Sequence, residues 1–330
     1  MHPFRTGNYC CRRAGRSCGR TASGILGFMR SPGSSGKWVR TLRRSCLILA
    51  VASTCFASIA AVAQNSVSLT PAVVIAGSPE LIRVGVSGAT GLDGEALGRK
   101  IEFFRGSAPN VWIALAGVDV EAATGPSVWR ITAHTPKGDI DLSQRINVQA
   151  AHYRTGSLKV APGFVEPGPE ALAQIQNEGK LKEKIFALSA AEPLWSNSFR
   201  APVSAPPTDS FGTRRMFNGK LASIHKGMDF RASMGTPVKA GNSGMVVLAQ
   251  PLYYEGNCVV VDHGLGLYTL SMHLSRIDVR VGQVVSAGER LGLSGATGRV
   301  TGPHLHWAVR WQGDYLDPAK VLRLKLDGLR

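Results

Sequence analysis

The chain has 330 residues, 44% hydrophobic and 18% charged, with a formal net charge of +16. Residues 1–63 hold ten of the 38 Lys and Arg, none of the 22 Asp and Glu and five of the six cysteines, which leaves 28 basic against 22 acidic residues beyond them. A surplus of +6 without an aromatic-studded basic run excludes a nucleic-acid partner, and the one remaining cysteine, Cys258, excludes an internal disulfide framework.

Residues 1–63 have the parts of an export leader. Basic residues Arg40, Arg43 and Arg44 precede an uncharged apolar stretch from Cys46, and the small-residue triplet Ala61-Val62-Ala63 stands before Gln64. Cleavage after Ala63 and a periplasmic location are expected. The apolar stretch of 18 residues touches the lower limit for crossing a bilayer, about 17–25 residues, so an uncleaved inner-membrane anchor is the alternative. Met29 is a second candidate start.

From 64 to 160, short apolar runs recur at roughly ten-residue spacing, among them "AVVIAG", "ELIRVGV", "KIEFF", "VWIALAGVDV", "SVWRITAH", "QRINVQA" and "SLKV". This predicts an antiparallel β-sandwich of immunoglobulin type. His134 and His152 are isolated in it and are expected at the surface or hydrogen-bonded in the core. Residues 161–210 form a helical and proline-rich linker. Pro169 is placed to open a helix carrying Leu172, Ile175, Leu181, Ile185 and Leu188, which Gly179 is expected to split, and "FRAPVSAPPTDSFG" is an extended approach to a second β region.

Residues 211–325 are again all β. The runs "TPVKA", "SGMVVLAQ", "CVVVDHG", "LYTLSMHL", "DVRV", "RLGLS" and "LHWAV" are separated by glycine turns, with a last helical turn near Pro318. A mainly β chain results, with a sandwich, a linking helix and an antiparallel sheet. Cys258 fits a small buried hydrophobe.

The chemistry is concentrated in this last part. In "TGPHLHWAVR", strand alternation puts His304 and His306 on one face and Leu305, Trp307 and Val309 on the other. The same alternation in "LYTLSMHLS" groups His273 with Thr269 and Ser271, against Tyr268, Leu270, Met272 and Leu274. In "HKGMDF", a bend at Gly227 is needed to bring His225 and Asp229 to one point. An open zinc site takes three protein ligands, which His225, Asp229 and one of His304 and His306 supply. His263, in its "VDHG" turn, is expected to be structural. No H-E-x-x-H, G-x-S-x-G or P-loop is present.

"HKGMD", "MHLS" and "TGPHLHW", in this order and with "FGTRR", "GTPVKA", "VDHG" and "GATGRVTGPHLH" around them, resemble the LytM/lysostaphin-type zinc endopeptidases over about Phe211 to Pro318. That resemblance implies a metalloendopeptidase cutting peptide bonds in bacterial peptidoglycan, with Zn2+ held by His225, Asp229 and His306. It further implies that His304 and His273 are the unliganded acid/base and oxyanion pair, their division of labour left open. A catalytically inactive module that activates other wall hydrolases is the alternative. Glycine-rich turns and a periplasmic leader favour the D-alanyl bond to a diamino acid as the one cut. The wall peptide is the expected partner, with no regulatory protein identifiable. Ser271 departs from the family, which often has tyrosine there, and this raises the question whether Tyr253 or Tyr254 supplies an aromatic wall instead.

Overall fold

The computed structural model describes residues 64–157, 167–217 and 220–329. The leader and most of the run "SLKV" lie outside them. Among the described residues no helix is long and apolar enough to cross a membrane.

The N-terminal strands are β1 (Ser66–Thr70), β2 (Pro79–Gly85), β3 (Gly91–Ala96), β4 (Arg99–Glu102), β5 (Phe104–Arg105), β6 (Val111–Gly117), β7 (Gly125–Thr135), β8 (Gly138–Asp141) and β9 (Gln144–Val148). They pair antiparallel into two sheets, one ordered β1-β2-β6-β5 and the other β4-β3-β7-β8, with β9 also on β7. Two antiparallel sheets of short strands packed face to face make the expected β-sandwich. Inward residues Ile82, Val84 and Ile113 of the first sheet and Ile101, Trp129 and Ile131 of the second are almost wholly buried in one cluster. The run "AVVIAG" is not a strand. It makes a single bridge from Ile75 to Gln149, and Gly77 at φ 84° turns the chain just after it.

Strand β10 (Thr155–Ser157) leaves the sandwich and lies parallel to β12 (Arg214–Phe217), which pairs with β13 (Lys220–Ile224). Helix α1 (Pro169–Phe186) runs between them in sequence, opened by Pro169. Gly179 does not split it. The helix is held from outside itself, since Leu181, Ile185 and Phe186 pack on a buried cluster while Glu178 accepts hydrogen bonds from the Tyr253 amide and Lys182 pairs with Glu255. Such docking offsets the roughly 1 kcal/mol that an interior glycine costs a helix.

The remaining strands are β11 (Pro207–Asp209), β14 (Met228–Phe230), β15 (Pro237–Lys239), β16 (Gly244–Leu252), β17 (Gly256–Asp262), β18 (Leu267–Ile277), β19 (Val284–Val285), β20 (Arg290–Ser294), β21 (Leu305–Trp311) and β22 (Asp314–Leu316), followed by the short helix α2 (Pro318–Val321). The main path is β11-β14-β21-β18-β17-β16-β19, all antiparallel, with β20 joining β15 and β18 and with β22 on β21. The run "DVRV" is not a strand, for the chain turns there towards Gly282 at φ 83° and Val281 is exposed.

One face of this sheet meets the sandwich. Leu305, Trp307 and Val309 belong to the same buried cluster as Ile82 and Ile113, together with Trp195, Phe199 and Val203 from the proline-rich stretch. Leu324 to Leu329 fold back onto the sandwich, where the Ser107 amide donates to the Leu329 carbonyl. The opposite face carries Tyr268, Leu270, Met272 and Ala308, and α1 covers it.

Candidate metal centre and cleft

Three side chains converge at one end of the helix-covered face. His225 follows β13, Asp229 is the middle residue of β14, and His306 is the second residue of β21, directly opposite Asp229 in the ladder. His225 Nε2 lies 3.1 Å from Asp229 Oδ1 and 3.0 Å from His306 Nδ1, which is 2.8 Å from Asp229 Oδ1. His225, Asp229 and His306 are the group able to hold a metal among the described residues. Ligand atoms at 2.0–2.1 Å around a tetrahedral zinc are about 3.3–3.4 Å apart, so small outward movements make these three donors fit one ion.

The backbone explains the convergence. Residues 225–227 break the strand between β13 and β14, which is the bend the sequence requires. Gly227 is needed there for space rather than for an unusual φ, because a Cβ at that position would overlap the His306 ring. His225 donates from Nδ1 to the Ser210 carbonyl at 2.9 Å, which leaves Nε2 as the ligand atom. Asp229 gives Oδ1 to the histidines and Oδ2 to Arg215, at 3.2 Å. Burial opposes ionisation of Asp229, but the hydrogen bonds from His225 and His306 outweigh it and hold the carboxyl well below its usual range.

His304 and His273 stand beside this group, with ring centroids 5.0 Å apart, and His273 is 6.0 Å from the His306 ring. His304 Nε2 is 3.8 Å from Asp229 Oδ1. The alternation expected in "TGPHLHWAVR" holds, since Leu305, Trp307 and Val309 are fully buried on the other side.

The alternation expected in "LYTLSMHLS" fails at His273. In the ladder Met272 pairs with His306 and Ser271 with Trp307, so Ser271 and Thr269 face the core and not the cleft. His273 has φ 62°, and the β17–β18 register shifts around it. This left-handed residue inserts a bulge that turns its imidazole to the face its neighbours' parity denies it. Ser271 is buried against the core, so the missing tyrosine opens no gap in the cleft wall. Tyr254 does line the cleft region.

His263 is structural, as expected: fully buried, it donates from Nδ1 to the Ser243 carbonyl and accepts at Nε2 from Thr269. Burial lowers it to about 4, so it stays neutral. Cys258 is buried and its thiol is pushed up by desolvation. His134 lies at the surface between two aspartates, and His152 is exposed.

Residues 223–318, which contain His225, Asp229, His273, His304 and His306 in that order, match the description "Peptidase family M23". This stretch is a family M23 peptidase domain. Over 157 residues the chain is 39% identical to the peptidoglycan DD-endopeptidase ShyA of Vibrio cholerae, covering 47% of this chain and 35% of that protein. It is 40% identical over 98 residues to the DD-carboxypeptidase/endopeptidase Mpg of Neisseria meningitidis, covering 30% of this chain and 23% of that one. The chain thus spans about a quarter to a third of the length of these relatives. A solved structure described as a family M23 peptidase from Pseudomonas aeruginosa, 28% identical, covers 75% of this chain and 94% of its own at a TM-score of 0.58. The fold likeness therefore reaches beyond the M23 domain into the sandwich.

Two cavities flank the M23 site. One, of about 460 Å3, runs past His304, Gly302 and Thr208 to Arg154 and Gly156 of the segment leaving the sandwich. The other, of about 240 Å3, lies towards Tyr254, Glu255 and Tyr315, and His273 and His306 border both. Sequence reasoning missed the polar frame: Asp209, which takes hydrogen bonds from Arg154, Arg215 and Thr213, and the carbonyls of Ser210, Thr297 and Gly302. These residues fall inside runs such as "FRAPVSAPPTDSFG", "FGTRR" and "GATGRVTGPHLH", but nothing in those runs marks them as a frame.

Proposed function

We propose that this chain is an exported, zinc-dependent endopeptidase that hydrolyses peptide cross-links of bacterial peptidoglycan, at the bond from D-alanine to the side-chain amine of a diamino acid. The observation that supports this best is the set of three donors within 3.1 Å, open to a cleft and flanked by two further histidines, inside an M23 domain. His225, Asp229 and His306 would hold the metal. When bound, a divalent ion lowers the pKa of a water from about 15.7 towards about 7 and polarises the scissile carbonyl.

His304 and His273 do the proton work. Each directs Nδ1 at a carbonyl oxygen, of Gly302 at 2.8 Å and of Thr297 at 2.9 Å. A carbonyl only accepts, so each Nδ1 carries the proton and each Nε2 offers a lone pair. Burial, then the neighbouring His306 and His304, lower His273 to about 3, which keeps it neutral, with Nε2 unprotonated. Having taken the proton of the attacking water, the same nitrogen is a donor for the leaving amine or the developing oxyanion. Cavities on both sides suit a bond with substrate extending in two directions. The export leader and the names of the relatives support a wall substrate in the periplasm.

Chromatography of digested peptidoglycan tests the reading. Cross-linked dimers are expected to become monomers with glycan strands intact. Dimers that persist while pentaglycine is cut overturn the bond, and released sugars without new peptide ends overturn the reaction.

A further inference from the structure

The cations around the two cavities are mostly neutralised within the protein. Arg215 is shared by Asp209 and Asp229, Arg154 is bound to Asp209, Lys226 lies 3.3 Å from Glu121, and Lys182 is held by Glu255. Arg299 is different. It borders both cavities together with His273 and His306, is half-buried, and forms no direct ion pair with a carboxylate among the described residues, although Glu255 lies near enough to attract it. Its guanidinium carbon lies 4.3 Å from the centre of the Tyr254 ring, a cation–π contact at the border of both cavities.

The backbone beneath Arg299 is pinned. Its amide donates to the Tyr254 carbonyl at 2.9 Å, and a Cβ at Gly298 (φ 74°) would overlap Gly256 and the Tyr254 carbonyl. Thr297 hydrogen-bonds the Leu274 carbonyl through its hydroxyl and takes the His273 Nδ1 proton on its own carbonyl. One turn therefore orients a catalytic histidine and carries an uncommitted cation beside it. A planar fork held rigid against an aromatic ring suits two-pronged binding of a carboxylate.

We propose that Arg299 is a specificity residue that binds a free carboxylate of the substrate peptide next to the scissile bond. The inference rests on the peptidoglycan reading above. Two wall carboxylates have the right chemistry. One is on the diamino acid, if it is a dicarboxylic one, where the carbon bearing the cross-linking amine also bears a carboxylate. The other is the C-terminal carboxylate of a D-alanine.

The test compares kcat/KM on purified diaminopimelate-containing dimers that are unmodified, amidated at the carboxylate beside the cross-link, or amidated at the terminal D-alanine. Wild type is expected to favour the unmodified dimer over one amidated form by about 10- to 100-fold, the usual worth of a charge-assisted pair, and the form that loses identifies the carboxylate. Arg299→Ala should bring that ratio close to one, mainly through KM, and Arg299→Lys should restore part of it. Thermal unfolding confirms that the variants are folded. If Arg299→Ala lowers all three substrates equally, or if wild type never discriminates, the carboxylate role is overturned while the endopeptidase reading stands. If wild type cuts none of the dimers, it is the endopeptidase reading that falls.

Discussion

The sandwich and the M23 domain each hold a histidine between acidic or basic neighbours, with opposite results. In the sandwich, His134 on β7 reaches Asp139 with Nδ1 at 2.9 Å and Asp93 with Nε2 at 3.0 Å. The two carboxylates sit at opposite edges of the ring, because β7 is regular and its partners β3 and β8 lie on either side of it. In the M23 domain, His225 Nε2, His306 Nδ1 and Asp229 Oδ1 all point at one another. Here the donors sit where strands break: after β13, in the three-residue β14, and near the start of β21. Regular ladders spread polar side chains apart, whereas interrupted ones can aim them at a point.

The largest effects are expected where convergence itself is destroyed. Asp229→Ala removes the one group that touches both histidines and Arg215, so metal content should fall to background and hydrolysis with it, as read by elemental analysis and dimer cleavage. Gly227→Ala asks the same question of the backbone. The new methyl overlaps the His306 ring, and overpacking costs about 1–3 kcal/mol, which should appear as weaker metal binding in a chelator competition. A Gly227→Ala protein with normal metal affinity would show that the break does not set the geometry.

Next come the two histidines whose side-chain hydrogen bonds go to backbone carbonyls. His304→Ala and His273→Ala should keep the metal and lose about 10²- to 10⁴-fold in turnover, the range for a positioned acid/base group. Metal loss in either variant would merge the two classes that the geometry separates.

These two classes also mark the limit of what alternation reveals. His304 and His306 lie on a face defined by Leu305, Trp307 and Val309, and the period of two found it. His273 reaches the site only through a left-handed residue that no apolar pattern announces, and the same bulge sends Thr269 and Ser271 into the core. The motif resemblance and strand parity both grouped His273 with the other histidines, and the structure places it beside them through the bulge and not through parity. Asp209 and the Ser210, Thr297 and Gly302 carbonyls were invisible for another cause: backbone acceptors carry no residue identity, and an aspartate in a proline-rich stretch looks like solvated linker. The shared core was hidden too, since apolar residues do not disclose their partners. Trp195 and Phe199 looked like linker and are buried.

A smaller effect separates two buried carboxyls, one in each region. Asp229 is surrounded by donors and stays ionised, whereas Glu80 on β2, with Ser78 as its hydrogen-bond partner, is pushed up by burial to about 8. A carboxyl raised in the folded state contributes stability that is full below its unfolded value of 4.5 and is lost as pH rises through about 8. Between pH 5 and pH 7 that amounts to roughly 1.4 kcal/mol per pH unit. Glu80→Gln should flatten this slope in urea unfolding curves, and an unchanged slope would place the titration elsewhere.

The smallest effect is expected at His134, and it decides whether sequence-adjacent acids or convergent donors make a site. Its raised pKa comes from hydrogen bonds to Asp139 and Asp93 on an exposed surface, so any stability it lends is present at low pH and is lost as pH rises through the folded value. Solvent screens such pairs, and salt should weaken them further. Two carboxylates on opposite sides of a ring cannot bind one ion together with it, whatever their number. His134→Ala is therefore expected to leave one metal per chain, unchanged turnover and nearly unchanged unfolding at pH 8, with a small loss at pH 5. Metal titration and unfolding at the two pH values check this. A second metal per chain that disappears in His134→Ala would mean that the sandwich binds ions as well, and that an exposed cluster can rearrange to hold an ion for which its resting geometry has no place.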